Sequence, residues 1–264
     1  TSTTGKVARV VVSDAGFSDD LFPFIYTDIN LYVRPTGSDT SNGTTPGTAK
    51  RTIAGGLAAA SATSTTLIRV AEGSYNEFGL ALFNGVVLSG GWDIAFAQRD
   101  ADRFVTAIDA GRAGFAMRSG GLDSSQVVDG VTILNGQREA LGGGGFVISG
   151  DNSVITNSVF AGNTSSSRGG GIYAVFTTAY GGTPIVSNNV LLGNRSYSNT
   201  GGGIGVYPAY TQGQTLEVAI TGNYVLGNRS FTGRGGGLGL GTQALYTDNL
   251  VKLTASLNEQ VPAL

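Results

Sequence analysis

The sequence predicts an all-β fold, a single-stranded parallel β-helix, and three observations predict it. First, two patterns recur and interleave in the C-terminal half. Asn157-Ser-Val-Phe-Ala-Gly-Asn163-Thr-Ser, Asn188-Asn-Val-Leu-Leu-Gly-Asn194-Arg-Ser and Gly222-Asn-Tyr-Val-Leu-Gly-Asn228-Arg-Ser share one pattern, with a weaker copy at Asp129-Gly-Val-Thr-Ile-Leu-Asn135. Their closing asparagines lie 28, 31 and 34 residues apart, and the Gly-Gly-Gly-apolar pattern at Phe146, Ile172, Ile204 and Leu238 advances by 26, 32 and 34. Second, 25 of residues 141–241 are glycine, and each costs ~1 kcal/mol in a helix interior. That excludes helical repeats. Third, the segments between the glycines are short apolar runs bounded by Gly and Asn turns, which makes a unit near 30 residues one coil of a solenoid.

Taken in order, the chain opens with an apolar run, Val7 to Val12, and a second, Leu21 to Tyr26, both outside the repeats. Residues 1–30 therefore read as an N-terminal arm, a strand that either folds back to cap its own chain or adds to the edge of the next subunit, with Val10, Val11, Val12, Phe22 and Phe24 as its apolar contacts. In residues 51–62 Thr52 is placed to N-cap a short helix, and Ile53, Leu57 and Ala60 share a face. Such a helix would cover one open end of a solenoid, which otherwise exposes unpaired backbone. Residues 67–71, 80–83 and 86–88 read as strands. The charged block from Ile94 to Arg112 reads as a loop followed by a strand. Six to eight coils of about 25–30 residues are expected within residues 31–245, with inward side chains such as Val154, Val159, Val190 and Ile220. The Gly-Gly-Gly runs mark bends that need positive φ or close backbone approach. Residues 246–264 read as a C-terminal arm, a half-buried strand in which Val251 and Leu253 alternate with polar residues.

Composition narrows the function. The net charge is -2 with 41% hydrophobic residues, which does not match a disordered chain or a basic nucleic-acid binder. There is no cysteine and no histidine. Disulfides, thiolate metal sites, histidine ligands and the Ser-His-Asp triad are thereby excluded. No apolar run in the sequence reaches the ~18–20 residues of a membrane-spanning helix. No Gly-Lys-[Ser/Thr] follows the glycine runs, so they are not phosphate loops.

Leu31-Tyr-Val-Arg-Pro-Thr-Gly-Ser-Asp39, Asn42-Gly-Thr, Thr52-Ile53 with Leu57, Leu67-Ile-Arg-Val-Ala-Glu-Gly-Ser-Tyr75 and Leu88-Ser-Gly-Gly-Trp92 with Arg99-Asp100 resemble the opening of secreted right-handed β-helix proteins of the DUF1565 type. The later Gly-Gly-Gly-apolar and Phe160-Ala-Gly-Asn163 patterns resemble the repeats of polymorphic outer-membrane proteins. The resemblance spans about residues 31–240. It implies a right-handed solenoid and an extracellular or cell-surface location, with a signal peptide already removed. It says little of activity, because this architecture carries many.

The candidate residues follow. Asn163, Asn194 and Asn228 are expected to stack as a structural ladder, since asparagine in a turn satisfies backbone groups. They also form Asn-x-Ser sequons, as Asn42 forms Asn-x-Thr. Inward-pointing amides would be closed to glycosylation. Arg195 and Arg229 hold one repeat position, and Tyr207 and Tyr210 flank Pro208; these four are candidate contacts for glycans or a partner. A polysaccharide hydrolase needs two facing carboxylates, yet residues 130–247 hold only Glu139, Asp151 and Glu217. Asp93, Asp100, Asp102 and Asp109 with Arg99 and Arg103 remain the cluster on which an enzyme could draw. The reading is a structural protein without enzymatic activity, metal or cofactor: an adhesin or a self-assembling subunit of an extracellular filament or layer, associating head to tail through its arms. A carbohydrate-active lyase or hydrolase and a glycan-binding module are the alternatives.

Overall fold

A computed structural model describes residues 29–120, 125–139, 142–149, 152–176, 184–198, 201–208, 218–233, 235–240, 245–247, 250–252 and 255–256. Val10, Val11, Val12, Phe22, Phe24, Tyr210 and Leu253 lie outside the described residues. The described chain is mostly β, with four parallel sheets of eight, seven, six and five strands. Among the described residues there is one α-helix, Ile53–Ala59, and no helix is long and apolar enough to cross a membrane.

From Val127 onward the chain visits the sheets in fixed rotation. Val154–Thr156 belongs to the eight-stranded sheet and Val159–Ala161 to the seven-stranded one. Thr164–Ser165 lies in the five-stranded sheet and Ile172–Phe176 in the six-stranded one, and Ile185–Ser187 returns to the first. Each strand pairs in parallel with the strand one circuit earlier, so Val154, Ile155 and Thr156 sit beside Val127, Val128 and Asp129. The segments Leu245–Thr247, Leu250–Lys252 and Ala255–Ser256 continue three of the sheets by one more strand each. Val251 thus pairs with Val225 of its own chain. At the other end, the first described strand, Ile29–Val33, pairs in parallel with Thr66–Ala71.

This register stacks like on like. Leu31, Ile68, Leu88, Val128, Ile155, Val186 and Ile220 form one buried column. Tyr75, Ile108, Ile133, Phe160, Leu191 and Val225 form a second. Together they make one continuous core. One expectation is corrected here. Ile220 points inward, but Val154, Val159 and Val190 do not: they are half-buried on the outer surface, and Ile155, Phe160 and Leu191 take the interior. A strand's side chains alternate, so a slip of one residue exchanges the faces. Val-Phe-Ala and Val-Leu-Leu are apolar at every position, and alternation could not decide between them.

The helix is built as its sequence suggests. The Thr52 hydroxyl accepts from the Gly55 N–H, and the Glu77 carboxylate accepts from the N–H groups of Ile53 and Ala54. A carboxylate at a helix start satisfies donors that the helix cannot. Ile53 and Leu57 are buried and Ala60 packs against the core. The helix rests on the first strand of the eight-stranded sheet, at the N-terminal end of the stack.

The glycine triplets have a separate task at each position. The first of each, such as Gly201 at φ +74°, takes a left-handed conformation. The second faces backbone: a Cβ on Gly202 would meet the main chain of Arg229, one circuit on, at under 3 Å. Gly202→Ala must therefore move two strands apart. Gly193→Ala, in open space at φ +61°, meets only the left-handed penalty of ~1–2 kcal/mol. Urea denaturation of the two variants should show Gly202→Ala as clearly the more damaging.

Candidate functional site

The asparagines project inward at the turns between sheets. Asn163, Asn194 and Asn228 are fully buried where the chain leaves the seven-stranded sheet for the five-stranded one. The Asn194 Nδ2 donates to the Phe160 carbonyl and to Asn228 Oδ1, and its Oδ1 accepts from the backbone N–H and Nδ2 of Asn163. Asn163 Oδ1 accepts from the Gly136 N–H, and Asn228 Nδ2 donates to the Leu191 carbonyl. These amides are not open to glycosylation, despite the sequons.

A second ladder, which the sequence reading missed, runs through the turn between the eight- and seven-stranded sheets. Asn189 Nδ2 donates to the Ile155 carbonyl and to Asn223 Oδ1, and Asn223 Nδ2 donates to the Val186 carbonyl. One circuit earlier the same position is Ser158, whose N–H reaches Asn189 Oδ1, and before that Val131. Among the described residues two asparagines hold the position, directly after Asn188 and Gly222, which hid it. The preceding Asn157 and Asn188 adopt positive φ, as asparagine tolerates.

The acidic cluster is dispersed by its own turns. Asp93 accepts from the N–H groups of Ala97 and Gln98, and Asp100 from those of Asp102 and Arg103. Asp109 accepts from the Gly111 N–H and from Asn135 Nδ2. Arg99 instead forms a buried ion pair with Asp129, whose other oxygen accepts from Asn157 Nδ2. That pair ties the loop before Thr106–Asp109 to the eight-stranded sheet. No group of three or more acidic side chains with metal-binding geometry occurs among the described residues.

Two outer surfaces stand out. The first is the outer face of the seven-stranded sheet. Over four of its strands one column is Thr132, Val159, Val190 and Tyr224 and the other is Leu134, Ala161, Leu192 and Leu226; the second continues to Asp109 at one end and Lys252 at the other. No charged side chain interrupts them across four strands. Leu192 is 48% exposed and Tyr224 53%. On the eight-stranded sheet Val127, Val154, Ile185 and Ala219 form an outward apolar column of their own, separated from the seven-stranded sheet by the polar column Asp129, Thr156, Ser187 and Thr221.

The second is the outer face of the five-stranded sheet, where Arg195 pairs directly with Arg229. The Tyr197 and Phe231 rings stack, with centroids 4.9 Å apart, and the Arg229 guanidinium lies 4.4 Å from the Phe231 ring. Tyr207 is in the six-stranded sheet, under the guanidinium of Arg168 at 3.8 Å. Burial raises the Tyr173 hydroxyl pKa, while Arg168 beside it acts the other way.

No protein-family model, curated protein or solved structure matches this chain. The ladder itself is testable. Asn194→Ala leaves the Phe160 carbonyl and the Asn163 N–H without their partner, and should cost about 2–4 kcal/mol in urea denaturation. Asn194→Asp places a carboxylate against the Phe160 carbonyl and Asn228 Oδ1. Burial and those oxygens raise the introduced acid's pKa, so this variant should be more stable at pH 4 than at pH 7 relative to the unsubstituted protein.

Proposed function

We propose that the chain is a right-handed parallel β-helix serving as a structural, self-associating protein outside the cell or at its surface. The fixed rotation through four parallel sheets supports the solenoid. Its hand follows from the strong right-handed preference of connections between parallel strands. The resemblance of the opening motifs to secreted DUF1565-type proteins supports the location.

One observation carries the function: the apolar outer face of the seven-stranded sheet. An apolar surface continuous over four strands and free of charge is the signature of a surface that meets another surface. The occupant we assign is a second copy of this chain. A flat β face repeated at constant spacing is complementary to another such face, and two outer faces then pack as the layers of a sandwich do, ~10 Å apart. Asp93, Asp100 and Asp109 accept hydrogen bonds from their own turns or from Asn135, which favours the structural reading over the carbohydrate-active one.

The experiment is sedimentation velocity and negative-stain microscopy of three proteins: the whole chain, Leu192→Lys/Tyr224→Lys, and a chain lacking residues 1–28. Both lysines replace exposed side chains, so the fold should tolerate them. Dimers or larger assemblies that dissolve in the lysine variant establish the face. Assemblies that survive the lysines but vanish on truncation transfer the contact to the N-terminal arm. A monomer in all three overturns self-association.

A further inference from the structure

The arginines of the C-terminal half have a use that association through the apolar face leaves open. Residues 130–240 contain five arginines, Arg138, Arg168, Arg195, Arg229 and Arg234, against three acids, Glu139, Asp151 and Glu217, although the whole chain carries a net charge of -2. Among the described residues no carboxylate comes within ion-pair reach of Arg138, Arg195 or Arg229. The buried Nε of Arg229 has no hydrogen-bond partner. Arg195 and Arg229 are paired neighbours in a parallel sheet, and like charges so placed repel. A fold that stacks them gains nothing from the arrangement by itself. An anion between them would remove the cost.

The surroundings specify more than charge. Tyr197 is 52% exposed and lies against Phe231. Each follows its arginine by two residues, on the same face of its strand. A shallow cavity of about 200 Å³ continues the surface, lined by Gln137, Arg138, Glu139, Thr164, Ser166 and Tyr197. Arg138 is held there by the Gly142 carbonyl and the Phe115 ring. Burial and the charge of Arg118 both lower its pKa, yet a guanidinium remains protonated at any ordinary pH. Among the described residues lining the cavity, Glu139 is the one carboxylate. The row Gln137, Thr164, Arg195 and Arg229, with the exposed Tyr197 beside it and Arg138 reaching the cavity from the neighbouring serine column, matches a chain of sugar rings that carries anions. A sugar ring would lie on the face of Tyr197 turned away from Phe231, its hydroxyls would meet Thr164, Ser166 and Gln137, and its anions would meet the arginines.

We propose that the outer face of the five-stranded sheet, from the cavity at Arg138 to Arg229 and Phe231, binds an anionic polysaccharide lying along the stack of strands. Carboxylate and sulfate groups share the chemistry that guanidinium recognises, and the test separates them. The site is on a different sheet from the self-association face and needs no assembly.

The test is affinity electrophoresis or calorimetry of the whole chain with polygalacturonate, a heparin-type sulfated glycan, neutral dextran and polyglutamate, at low and moderate salt. The expected result is binding to one or both anionic glycans, weakened by salt, and none to dextran. Polygalacturonate over the sulfated glycan assigns carboxylate, and the reverse assigns sulfate. Arg195→Ala/Arg229→Ala should weaken binding at least about tenfold, and Tyr197→Ala about threefold or more. Circular dichroism checks that each variant is folded, and sedimentation of the same samples reads self-association separately. Should the arginine variant misfold, Arg195→Glu, at an exposed position, replaces it and must abolish binding. Three results overturn the proposal: no binding to either anionic glycan, equal binding of polyglutamate, or glycan binding unaffected by the folded variants.

Discussion

Each inward side chain in this protein has its counterpart one circuit away as an obligatory neighbour. Parallel strands stand ~4.8 Å apart, and the register sets Ile133, Phe160, Leu191 and Val225 directly above one another. The column is filled only if every member is apolar and of compatible size. The same spacing suits an amide ladder, because Asn Oδ1 and Nδ2 reach the next asparagine and the nearby backbone at about hydrogen-bond distance. The two ladders fix where the chain turns, and the turns fix the strand register. The interior therefore constrains a few positions per circuit and leaves the rest free.

That freedom explains where the circuits vary. The corners that carry asparagine keep a constant length: Val159–Ala161 and Thr164–Ser165 recur as Val190–Leu192 and Arg195–Ser196, and again as Tyr224–Leu226 and Arg229–Ser230. The changing spacing accumulates elsewhere, in the connections after the six-stranded sheet and between the five- and six-stranded sheets. Even there the glycine triplets restore alignment, since the main chain of one circuit lies against that of the next without room for a side chain. Outward positions escape all of these demands. An outward row that is nonetheless uniform, whether apolar on the seven-stranded sheet or arginine with aromatic on the five-stranded one, is not required by folding.

Much of the fold could be read from the chain. The glycine triplets, the closing asparagines and the Thr52 cap each follow from a local rule, and each mark an element the structure contains. Two things could not be read. Segments that are apolar on both faces, such as Val190-Leu191-Leu192, conceal which face is the interior, because the usual alternation of polar and apolar residues is missing. The second ladder was hidden by Ser158 and Val131, which occupy its positions in earlier circuits. The binding surfaces were legible only in part: Arg195 and Arg229 share a repeat position in the sequence, whereas the pairing of Tyr197 with Phe231 depends on the register of strands 34 residues apart.

The failure of alternation and the apolar outer face are one fact. A strand that keeps water on one side alternates; a strand covered on both sides does not. The repeats of the seven-stranded sheet have the sequence of doubly covered strands, while the described residues cover only one side of them. Folding alone would be served as well by threonine, lysine or glutamate at Val159, Val190, Leu192 and Leu226, and such residues would also guard against unwanted contact. Apolar residues at these positions across three successive circuits are what the proposed association through this face would require. The stacked arginines present the same logic in charge: repulsion between neighbouring guanidinium groups is a standing cost within the isolated chain, which a bound anion would remove.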